Sequence, residues 1–429
     1  MLTQAPRGTR DVLPQDSYRW QFVEAVCREI AARAGYREVR TPVFEHTELF
    51  LRGVGDTTDI VQKEMYTFED KGARSLTLKP EGTAGAVRAL IEHSLYAGVL
   101  PVKMYYLSAP IFRYEAPQSG RYREHHQFGC EVFGVAEPSC DAEVIAVLVR
   151  MLEGVGLTGL TINVNSIGCP ECRKVYHEAM KTFLSGRLDT LCSTCNDRFI
   201  RNPLRILDCK SESCQKQLVD APVMLDYLCE DCSAHFSGLQ EALTTLEIPF
   251  QVNPRIVRGL DYYTRTVFEV EMQSDAGAPL AVCGGGRYDR LVEELGGPSM
   301  PGMGFGLGLE RVLMLLDQKG ITLPEPRQYD VYVAALGTEA RMPALKLTQS
   351  LRDAGIRADV DHAGRSLKAQ FKSADKLGAA MVAIVGGDEL ARGVIRLRDM
   401  QTKEEQEVPF TEAVATIHRM NAERGTTHA

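Results

Sequence analysis

The chain has 429 residues, enough for two or three domains with sizeable cores, so a small disulfide-stapled module is excluded. With 44% apolar and 25% charged residues its composition is ordinary for a globular protein, which argues against wholesale disorder. The formal net charge is −8, whereas a general nucleic-acid binder carries a basic excess, so we expect any RNA contact to be local. No apolar run has the length of a membrane span or a signal peptide, and we expect a cytoplasmic protein with no membrane partner.

Helices and short strands alternate in the first part of the chain. Apolar residues at three- and four-residue steps predict a helix over 15–34, and a β-prone segment interrupted by Pro42 follows it. Residues 76–95 are typical of a strand, a turn and a helix. Two β-rich runs, 102–115 and 125–135, flank a polar loop and predict a hairpin.

A helix capped by Ser139 and a strand over 160–166 are predicted next, and the composition then changes. Eight of the 12 cysteines fall between Cys169 and Cys232, which marks residues 168–250 as an inserted module. Short strands resume after the insertion, and a helix begins within GMGFGLGLERVLMLL.

A proline-rich linker, PEPRQYD, precedes the last part of the chain. Strand and helix patterns alternate from Tyr329 onward, which predicts a separate α/β domain with a largely parallel sheet. This segment carries 14 basic and 14 acidic residues, so the net negative charge belongs to the rest of the chain.

Three arginines cluster around the predicted hairpin loop. Arg113 lies late in the first β-rich run, and Arg121 and Arg123 lie in the loop. A planar, permanently charged guanidinium binds phosphate through two hydrogen bonds, so the cluster suits a phosphate ligand. The alternative is a solvated surface loop.

Two later segments are also candidates for a binding site. GMGFGLGLER combines four glycines with Arg311, which lets a ligand approach the sheet, although close packing alone explains such glycines. RGLDYYT brings together Arg258, Asp261, Tyr262 and Tyr263, a set that suits a polar pocket. Its alternative is a buried tyrosine pair hydrogen-bonded to the aspartate.

Six motifs occur in one order along the chain: RGTRDVLP, LKPEGT, FRYE-x-PQ-x-GRYREHHQFG-x-E, RGLDYYT, CGGGRYDRL and GFGLGLER. Together they resemble histidyl-tRNA synthetase, a class II aminoacyl-tRNA synthetase family. The resemblance implies an α+β catalytic core with an antiparallel sheet over 1–167 and 251–324, interrupted by the cysteine-rich insertion. It also implies a C-terminal anticodon-binding domain over 329–425 and a homodimer formed through the segment that contains Pro42.

The implied reaction activates histidine with ATP to histidyl-adenylate and pyrophosphate, then transfers histidine to the 3′-terminal ribose of transfer RNA. By resemblance, Arg113 holds the α-phosphate and Arg311 the γ-phosphate, with Mg²⁺ sharing the triphosphate charge. Glu115 and Arg121 complete the ATP site. Arg258 contacts both the substrate carboxylate and the α-phosphate and stabilises charge as pyrophosphate leaves.

The resemblance also implies a site for the amino acid. Glu81, Thr83 and Gln127 grip the α-amino group of histidine. Glu131 and Tyr263 read the imidazole, since a carboxylate and a phenol pair with both ring nitrogens. The remaining histidine-binding residues are Gly82, Arg113, Arg258 and Tyr262.

The transfer RNA is expected to meet two parts of the chain. The loop 116–124 faces the acceptor end, and the C-terminal domain binds the anticodon. Lys368, Lys372 and Lys376 lie on one predicted helical face and supply local positive charge, with a solvated helix face as the alternative.

The clustered cysteines are candidates for structural zinc. Four close pairs have the spacing of thiolate sites: Cys169 with Cys172, Cys192 with Cys195, Cys209 with Cys214, and Cys229 with Cys232. The spacing does not say which pairs share an ion. One site with spare thiols, or ligands without metal, are the alternatives. His125 and His126 are not expected to share an ion because adjacent strand residues face opposite sides.

Two other classes of protein compete with the ligase interpretation. A regulatory subunit of ATP phosphoribosyltransferase resembles only the catalytic core, but this chain retains residues 329–425 and both ATP arginines. A zinc-dependent nucleic-acid-binding module explains the cysteines but not the segment from Arg258 to Tyr263. We therefore predict a histidine–tRNA ligase.

Overall fold

The computed structural model of the chain describes residues 3–55, 58–117, 120–273 and 279–426. The chain divides into two compact units, Met1–Leu323 and Pro324–Ala429, each with its own sheet and apolar core. The boundary falls at the first residue of the predicted linker. Within these ranges, no helix is both long enough and apolar enough to cross a membrane.

A large sheet is the frame of the first unit. The strands are β1 (Arg37–Glu38), β2 (Phe44–His46), β3 (Tyr66–Glu69), β4 (Ser75–Leu78), β5 (Val102–Phe112), β6 (Glu124–Phe133), β7 (Thr161–Ser166), β8 (Phe250–Val252), β9 (Thr264–Gln273), β10 (Pro279–Arg287) and β11 (Gly302–Gly308). Eight of these described strands form it in the order β1-β5-β6-β11-β10-β9-β7-β8, and β2-β4-β3 form a small sheet. Only the outer pairs β1–β5 and β7–β8 are parallel, so the predicted antiparallel core is confirmed.

The helices of this unit are α1 (Ser17–Arg33), α2 (Thr47–Val54), α3 (Thr83–Glu92), α4 (Pro138–Gly154), α5 (Pro170–Leu184), α6 (Ser193–Arg201), α7 (Glu212–Gln217), α8 (Glu230–Thr245), α9 (Leu291–Glu294) and α10 (Leu309–Gln318). The predicted cap at Ser139 is wrong, because α4 begins at Pro138 and its N-cap is Glu137. Proline suits this position, since its fixed φ matches a helix and its missing N–H is not needed in the first turn.

The two faces of the large sheet differ in composition because successive side chains of a strand point to opposite sides. On β11, Met303, Phe305 and Leu307 join the core that also contains α1, α4 and α10. The glycines between them face the other way, opposite Glu131 and the neighbouring polar residues of β6. One face is therefore apolar and covered by helices, and the other is a glycine-rich face with room for ligands.

The cysteine-rich segment folds into the four helices α5 to α8 joined by short turns, among them the 3₁₀ turn Pro203–Asp208. Most of its buried residues form one core with α3 and the 256–263 segment, whereas Phe236, Leu239 and Leu243 of α8 join the core that contains α1, α4 and α10. The insertion therefore packs next to the glycine-rich face.

The second unit contains the elements β12 (Val331–Leu336), α11 (Arg341–Asp353), β13 (Ala358–Val360), α12 (Leu367–Lys376), β14 (Met381–Gly386), α13 (Gly387–Ala391), β15 (Val394–Asp399), β16 (Glu405–Pro409) and α14 (Ala413–Thr426). Its described strands form one sheet in the order β13-β12-β14-β15-β16. The largely parallel sheet predicted here is wrong at one edge, because β15 and β16 are antiparallel. The connection from Gly386 to Val394 is too short for the crossover that a parallel strand needs.

Candidate active site and cysteine centres

A cavity of about 180 Å³ opens on the glycine-rich face beside the start of α3. Most residues predicted to bind histidine line it: Glu81, Thr83, Arg113, Gln127, Arg258, Tyr262 and Tyr263. The two tyrosine rings lie 4.7 Å apart between their centroids and form one wall. The structure therefore brings together residues that are far apart in sequence.

Glu81 caps the helix α3 from within this cavity. Its two carboxylate oxygens accept hydrogen bonds from the backbone N–H groups of Thr83 and Ala84, each at 2.7 Å. Burial raises the pKa of the carboxyl group. Gly82 lies between Glu81 and Thr83 in the chain and is buried against Tyr106. A Cβ atom at Gly82 would lie 2.3 Å from the ring carbon Cζ of Tyr106. Gly82 therefore leaves space for the tyrosine rather than lining the cavity itself.

Glu131 lies immediately behind the cavity wall and is completely buried. Its carboxyl accepts hydrogen bonds from the hydroxyls of Thr83, at 2.7 Å, Tyr106, at 3.2 Å, and Tyr288. Burial raises the pKa of Glu131 to about 8. A Cβ at Gly304, which does line the cavity, would lie 1.9 Å from Oε2 of Glu131. Gly304 thus leaves the space beside the cavity that this carboxyl oxygen occupies.

A second cavity of about 370 Å³ adjoins the first. Arg113, Arg258, His125, Gly284 and Gly306 line both. The predicted ATP residues Glu115, Arg121 and Arg311 line only the larger one. Two guanidiniums are thus placed where the cavities meet, and two more lie in the larger cavity. Such a cluster of planar cations suits a polyphosphate.

Arg258 is held by a carboxylate and by a glycine. Its Nη1 lies 3.2 Å from Oε1 of Glu269, a β9 residue on the same face of the sheet. A Cβ at Gly284 would lie 2.2 Å from Nη2, so the guanidinium occupies the space that a side chain would fill. The buried Nε of Arg258 has no hydrogen-bond partner among the described residues. One donor of this arginine is therefore available to a ligand.

The other arginines of the predicted cluster differ in position. Nε of Arg113 donates to the carbonyl of Pro80 at 2.7 Å, and Nη1 of Arg121 lies 3.7 Å from Oε2 of Glu115. Arg123 points elsewhere, because its guanidinium stacks 4.0 Å from the centroid of Tyr114. Two of the three arginines in the predicted cluster, Arg113 and Arg121, thus reach the larger cavity.

The adjacent histidines have separate surroundings, as predicted. His125 lines both cavities, and burial, together with the charge of Arg113, lowers its pKa to about 4. His126 hydrogen-bonds through Nδ1 to Glu310 at 2.9 Å and packs edge-on against Trp20. His125 is therefore neutral at physiological pH, and His126 helps to fix the start of α10.

The eight clustered cysteines form two groups of four, in each of which the sulfur atoms lie within 4.8 Å of one another. We call Cys192, Cys195, Cys209 and Cys214 the inner cysteine centre. We call Cys169, Cys172, Cys229 and Cys232 the outer cysteine centre. Sequence neighbours alone do not predict this nested arrangement, in which the outermost pairs join and enclose the inner set.

Both centres lie at helix N-termini. Cys169, Cys192 and Cys229 are the N-caps of α5, α6 and α8. The backbone N–H of Cys192 donates to Sγ of Cys214 at 3.2 Å, and that of Cys229 to Sγ of Cys172 at 3.1 Å. Four convergent sulfurs with such donors fit a tetrahedral metal ion.

The antiparallel sheet and the arginine-lined double cavity define a class II aminoacyl-tRNA synthetase. The family model described as histidyl-tRNA synthetase matches residues 8–178 and 204–312, and the model described as anticodon binding domain matches 330–420. The chain therefore belongs to the histidyl-tRNA synthetase family, as its motifs predicted.

Individual relatives agree with the family match. A histidine–tRNA ligase of Caldanaerobacter subterraneus is 54% identical over 97% of this chain and 100% of its own. One from Clostridium perfringens is 54% identical over 95% of this chain and 97% of its own. The crystal structure of the apo histidyl-tRNA synthetase of S. aureus, 39% identical, covers 96% of this chain and 99% of its own with a TM-score of 0.84.

The predicted function is confirmed by this relationship: the chain is an ATP-dependent aminoacyl-tRNA ligase that joins histidine to transfer RNA in two steps. The similarity extends through the anticodon-binding domain, which decides against the regulatory-subunit interpretation. The family match is interrupted between residues 178 and 204, a stretch that contains Cys192 and Cys195 of the inner cysteine centre.

Sequence reasoning missed several residues that shape the site. Tyr106 and Tyr288 hydrogen-bond Glu131, and Glu269 pairs with Arg258. Tyr288 stands inside the motif CGGGRYDRL and could have been found there. Tyr106 and Glu269 had only strand alternation as a signal, and their partners come from distant parts of the chain.

Proposed function

We propose that the smaller cavity binds histidine and that the larger cavity binds ATP. The observation that supports this assignment is the shared wall, where Arg113 and Arg258 line both cavities. A carboxylate bound in the smaller cavity and an α-phosphate bound in the larger one would meet at these guanidiniums. This is the geometry that formation of an adenylate requires.

In the histidine site, Glu81, Thr83 and Gln127 bind the α-amino group, and Tyr262 and Tyr263 enclose the ring. Glu131 and Tyr263 hydrogen-bond the imidazole, and Glu131 reaches it past Gly304. Gly82 leaves the space that the Tyr106 ring occupies. A buried carboxyl that needs a donor or acceptor in the ligand rejects apolar side chains of similar size, because its polar atoms would then lose their partner.

In the ATP site, Arg113 holds the α-phosphate, Arg311 the γ-phosphate, and Arg121 with Glu115 the remaining groups. Carboxylates of Glu115 and Glu269 line the cavity and are oxygen donors of the kind Mg²⁺ prefers. When bound, Mg²⁺ would share the charge of the triphosphate.

The chemistry needs no covalent bond to the protein. A carboxylate oxygen of histidine attacks the α-phosphorus, the bond to the bridging oxygen breaks, and pyrophosphate leaves. Arg258 neutralises the charge that develops, and the ribose hydroxyl of the transfer RNA then displaces AMP from the acyl carbon. Catalysis rests on positioning and electrostatics.

The role of Arg258 is tested by ATP–pyrophosphate exchange with each of the twenty amino acids in turn. We expect exchange with histidine alone. Arg258→Lys keeps the charge but loses the planar fork, so exchange should fall about a hundredfold, as for loss of a donor aimed at a transition state. The control is Arg255→Lys, an exposed arginine outside both cavities. Equal exchange in both variants would contradict the assignment.

We also propose contacts to the transfer RNA. The loop 116–124 meets the acceptor end, although residues 118 and 119 lie outside the described part of the chain. In the second unit Lys368, Lys372 and Lys376 are exposed along α12, with Gln370 and Ala374 buried on the opposite side. This charged row suits phosphate contacts at the anticodon end, and its loss should reduce the salt dependence of binding.

We propose a homodimer through the small sheet. Phe44 and Phe68 are 50% and 44% exposed, and their rings pack edge-on at 6.5 Å beside the exposed Val43. Exposed aromatic pairs of this kind mark contact surfaces. Sedimentation equilibrium should give twice the chain mass of 47.5 kDa, and Phe44→Glu should give a monomer. Val99→Glu, at another exposed apolar residue, is the control. A monomeric wild type would refute the proposal.

We propose that each cysteine centre holds one structural zinc ion. All twelve cysteines are free of disulfides, which also supports a reducing, cytoplasmic location. The bound metal would link the helix ends of the insertion. Metal analysis of protein purified without chelator should find two equivalents of zinc, and less than about a tenth of an equivalent would rule the proposal out.

A further inference from the structure

We propose that Lys210, supplied by the insertion, binds the phosphates of ATP, and that the inner cysteine centre holds it there through its metal. The inference rests on the proposed ATP and zinc sites and goes beyond them. It assigns a substrate-binding residue to the insertion and makes ATP binding depend on one of the two centres.

Lys210 lies at the wall of the larger cavity. It lines this cavity together with Arg113, Arg258 and Arg311 and is solvent-exposed. Among the described residues no carboxylate pairs with its ammonium group, in contrast to Arg258 and Arg121, which lie near Glu269 and Glu115. A cation without a protein partner beside a polyphosphate site is available to bind phosphate oxygens.

The position of Lys210 is set by its neighbour in the chain. Cys209 belongs to the inner cysteine centre, so a metal bound there would fix the backbone on which Lys210 stands. The backbone N–H of Ser211, on the other side, donates to Sγ of Cys209 at 3.5 Å. Lys210 therefore directly follows a residue that the metal would hold in place.

The rest of the stretch between Cys195 and Cys209 contacts the active-site segment directly. Nη1 of the buried Arg205 donates to the carbonyl oxygen of Arg258 at 3.2 Å. Nδ2 of Asn202 donates to Oδ1 of Asp261, also at 3.2 Å. Both ends of this stretch are ligands of the inner cysteine centre, so one ion would close it into a loop that rests on the residues beside Arg258.

Loss of the metal would free both ends of that loop. The stretch consists of the end of α6 and one 3₁₀ turn, which is held by the burial of Leu204 and Ile206, and the metal would add a constraint at each end. The outer cysteine centre joins α5 to α8. In the described part of the chain, none of its residues lines the larger cavity. The two centres should therefore differ in their effect on ATP.

The first experiment replaces the lysine. Lys210→Met should raise the KM for ATP in pyrophosphate exchange about tenfold, the effect of losing one phosphate contact worth a factor of ten in affinity. The KM for histidine and the zinc content should not change, and Lys210→Arg should keep most of the ATP affinity. Lys216→Met, at an exposed lysine of α7 outside the cavity, is the matched control. An unchanged KM for ATP in Lys210→Met would overturn the assignment.

The second experiment separates the two centres. Cys195→Ser and Cys172→Ser each replace the second, buried cysteine of a pair at the start of a helix. Each should lose one equivalent of zinc, but only Cys195→Ser should raise the KM for ATP about tenfold, and adding Lys210→Met to it should raise the KM little further. If the two serine variants raise the KM for ATP equally, the metal dependence is overturned. It is also overturned if the increases caused by Cys195→Ser and Lys210→Met multiply in the double variant.

A third measurement does not depend on activity or on folding of a variant. Zinc is removed from the wild-type protein with a chelator, and hydrogen exchange is followed by mass spectrometry before and after zinc is returned. Exchange should rise across 198–210 and the 258–261 segment and fall again with zinc. Unchanged exchange in these peptides would refute the metal dependence. Wild-type protein that holds no zinc as purified would refute the zinc proposal, while the Lys210 variants would still decide ATP binding.

Discussion

Arg287 and Asp141 form an ion pair that is completely buried and joins β10 to α4. Nε of the arginine donates to Oδ1 of the aspartate at 3.1 Å, and Nη1 donates to the carbonyl of Val135 at 2.9 Å and to Asp289 at 3.0 Å. Since β10 also carries Gly284, this pair anchors the strand that leaves space for Arg258. The anchor lies outside both cavities.

We predict that Asp141→Asn destabilises the protein by about 3 kcal/mol, because the buried guanidinium then keeps only the partly exposed Asp289 as a carboxylate partner among the described residues. The matched change Asp317→Asn removes the partner of Arg19 in an exposed pair and should cost less than about 1 kcal/mol. Urea unfolding followed by the fluorescence of Trp20, the sole tryptophan, measures both. Similar losses in the two variants would contradict the role of burial.

The raised pKa of Glu131 predicts a pH-dependent stability. Its pKa is about 8 in the folded protein against 4.5 for an ordinary glutamate. Below that ordinary value both folded and unfolded chains keep the proton. As the pH rises toward 8, only the unfolded chain releases it, so the free energy of unfolding falls.

Glu131→Gln cannot titrate and should remove this loss. We expect the variant to gain about 3 to 5 kcal/mol relative to wild type between pH 4.5 and pH 8, with the gain complete near pH 8. Urea unfolding of both proteins without substrates, at steps across this range, gives the difference directly. A constant difference would mean that Glu131 titrates normally.

Much of the site could be predicted from sequence because its motifs carry strand periodicity as well as family resemblance. In GMGFGLG the glycines indicated that a ligand could approach the sheet, and in the structure the alternating Met303, Phe305 and Leu307 face the core. The hairpin followed from the two β-rich runs, whereas the fold class and the ligase function followed from the family resemblance of six ordered motifs.

Other features depend on contacts between distant segments and could not be predicted. The grouping of eight cysteines into nested centres depends on how α5 to α8 pack. The burial of Glu131 beneath three hydroxyls depends on β5, α3 and the residue after β10 meeting at one point. The antiparallel edge of the second sheet depends on the short connection from Gly386 to Val394, which the alternation of strand and helix patterns does not reveal.

We predict that Gly304 is required for histidine binding, because the absence of a side chain there leaves the space that the Glu131 carboxyl occupies. A Cβ there would lie 1.9 Å from Oε2 and would push the carboxyl away from the cavity. Gly304→Ala should raise the KM for histidine at least about tenfold, equivalent to about 1.4 kcal/mol, with a smaller effect on ATP. Gly186→Ala, where a Cβ meets nothing within 4 Å, controls for the loss of a glycine. An unchanged KM for histidine would remove Glu131 from the binding site.

Tyr105 and Tyr106 provide a matched pair, since they are adjacent on β5, both buried, and face opposite sides of the sheet. The hydroxyl of Tyr106 donates to Glu131 at 3.2 Å, whereas that of Tyr105 donates to Glu38 at 3.4 Å. Tyr106→Phe removes a donor that positions the Glu131 carboxyl beside the cavity, so the misplaced carboxyl should raise the KM for histidine about tenfold. Tyr105→Phe should leave this KM unchanged. Pyrophosphate exchange at varied histidine and saturating ATP compares them, and equal KM values would show that the hydroxyl network around Glu131 has no part in binding the amino acid.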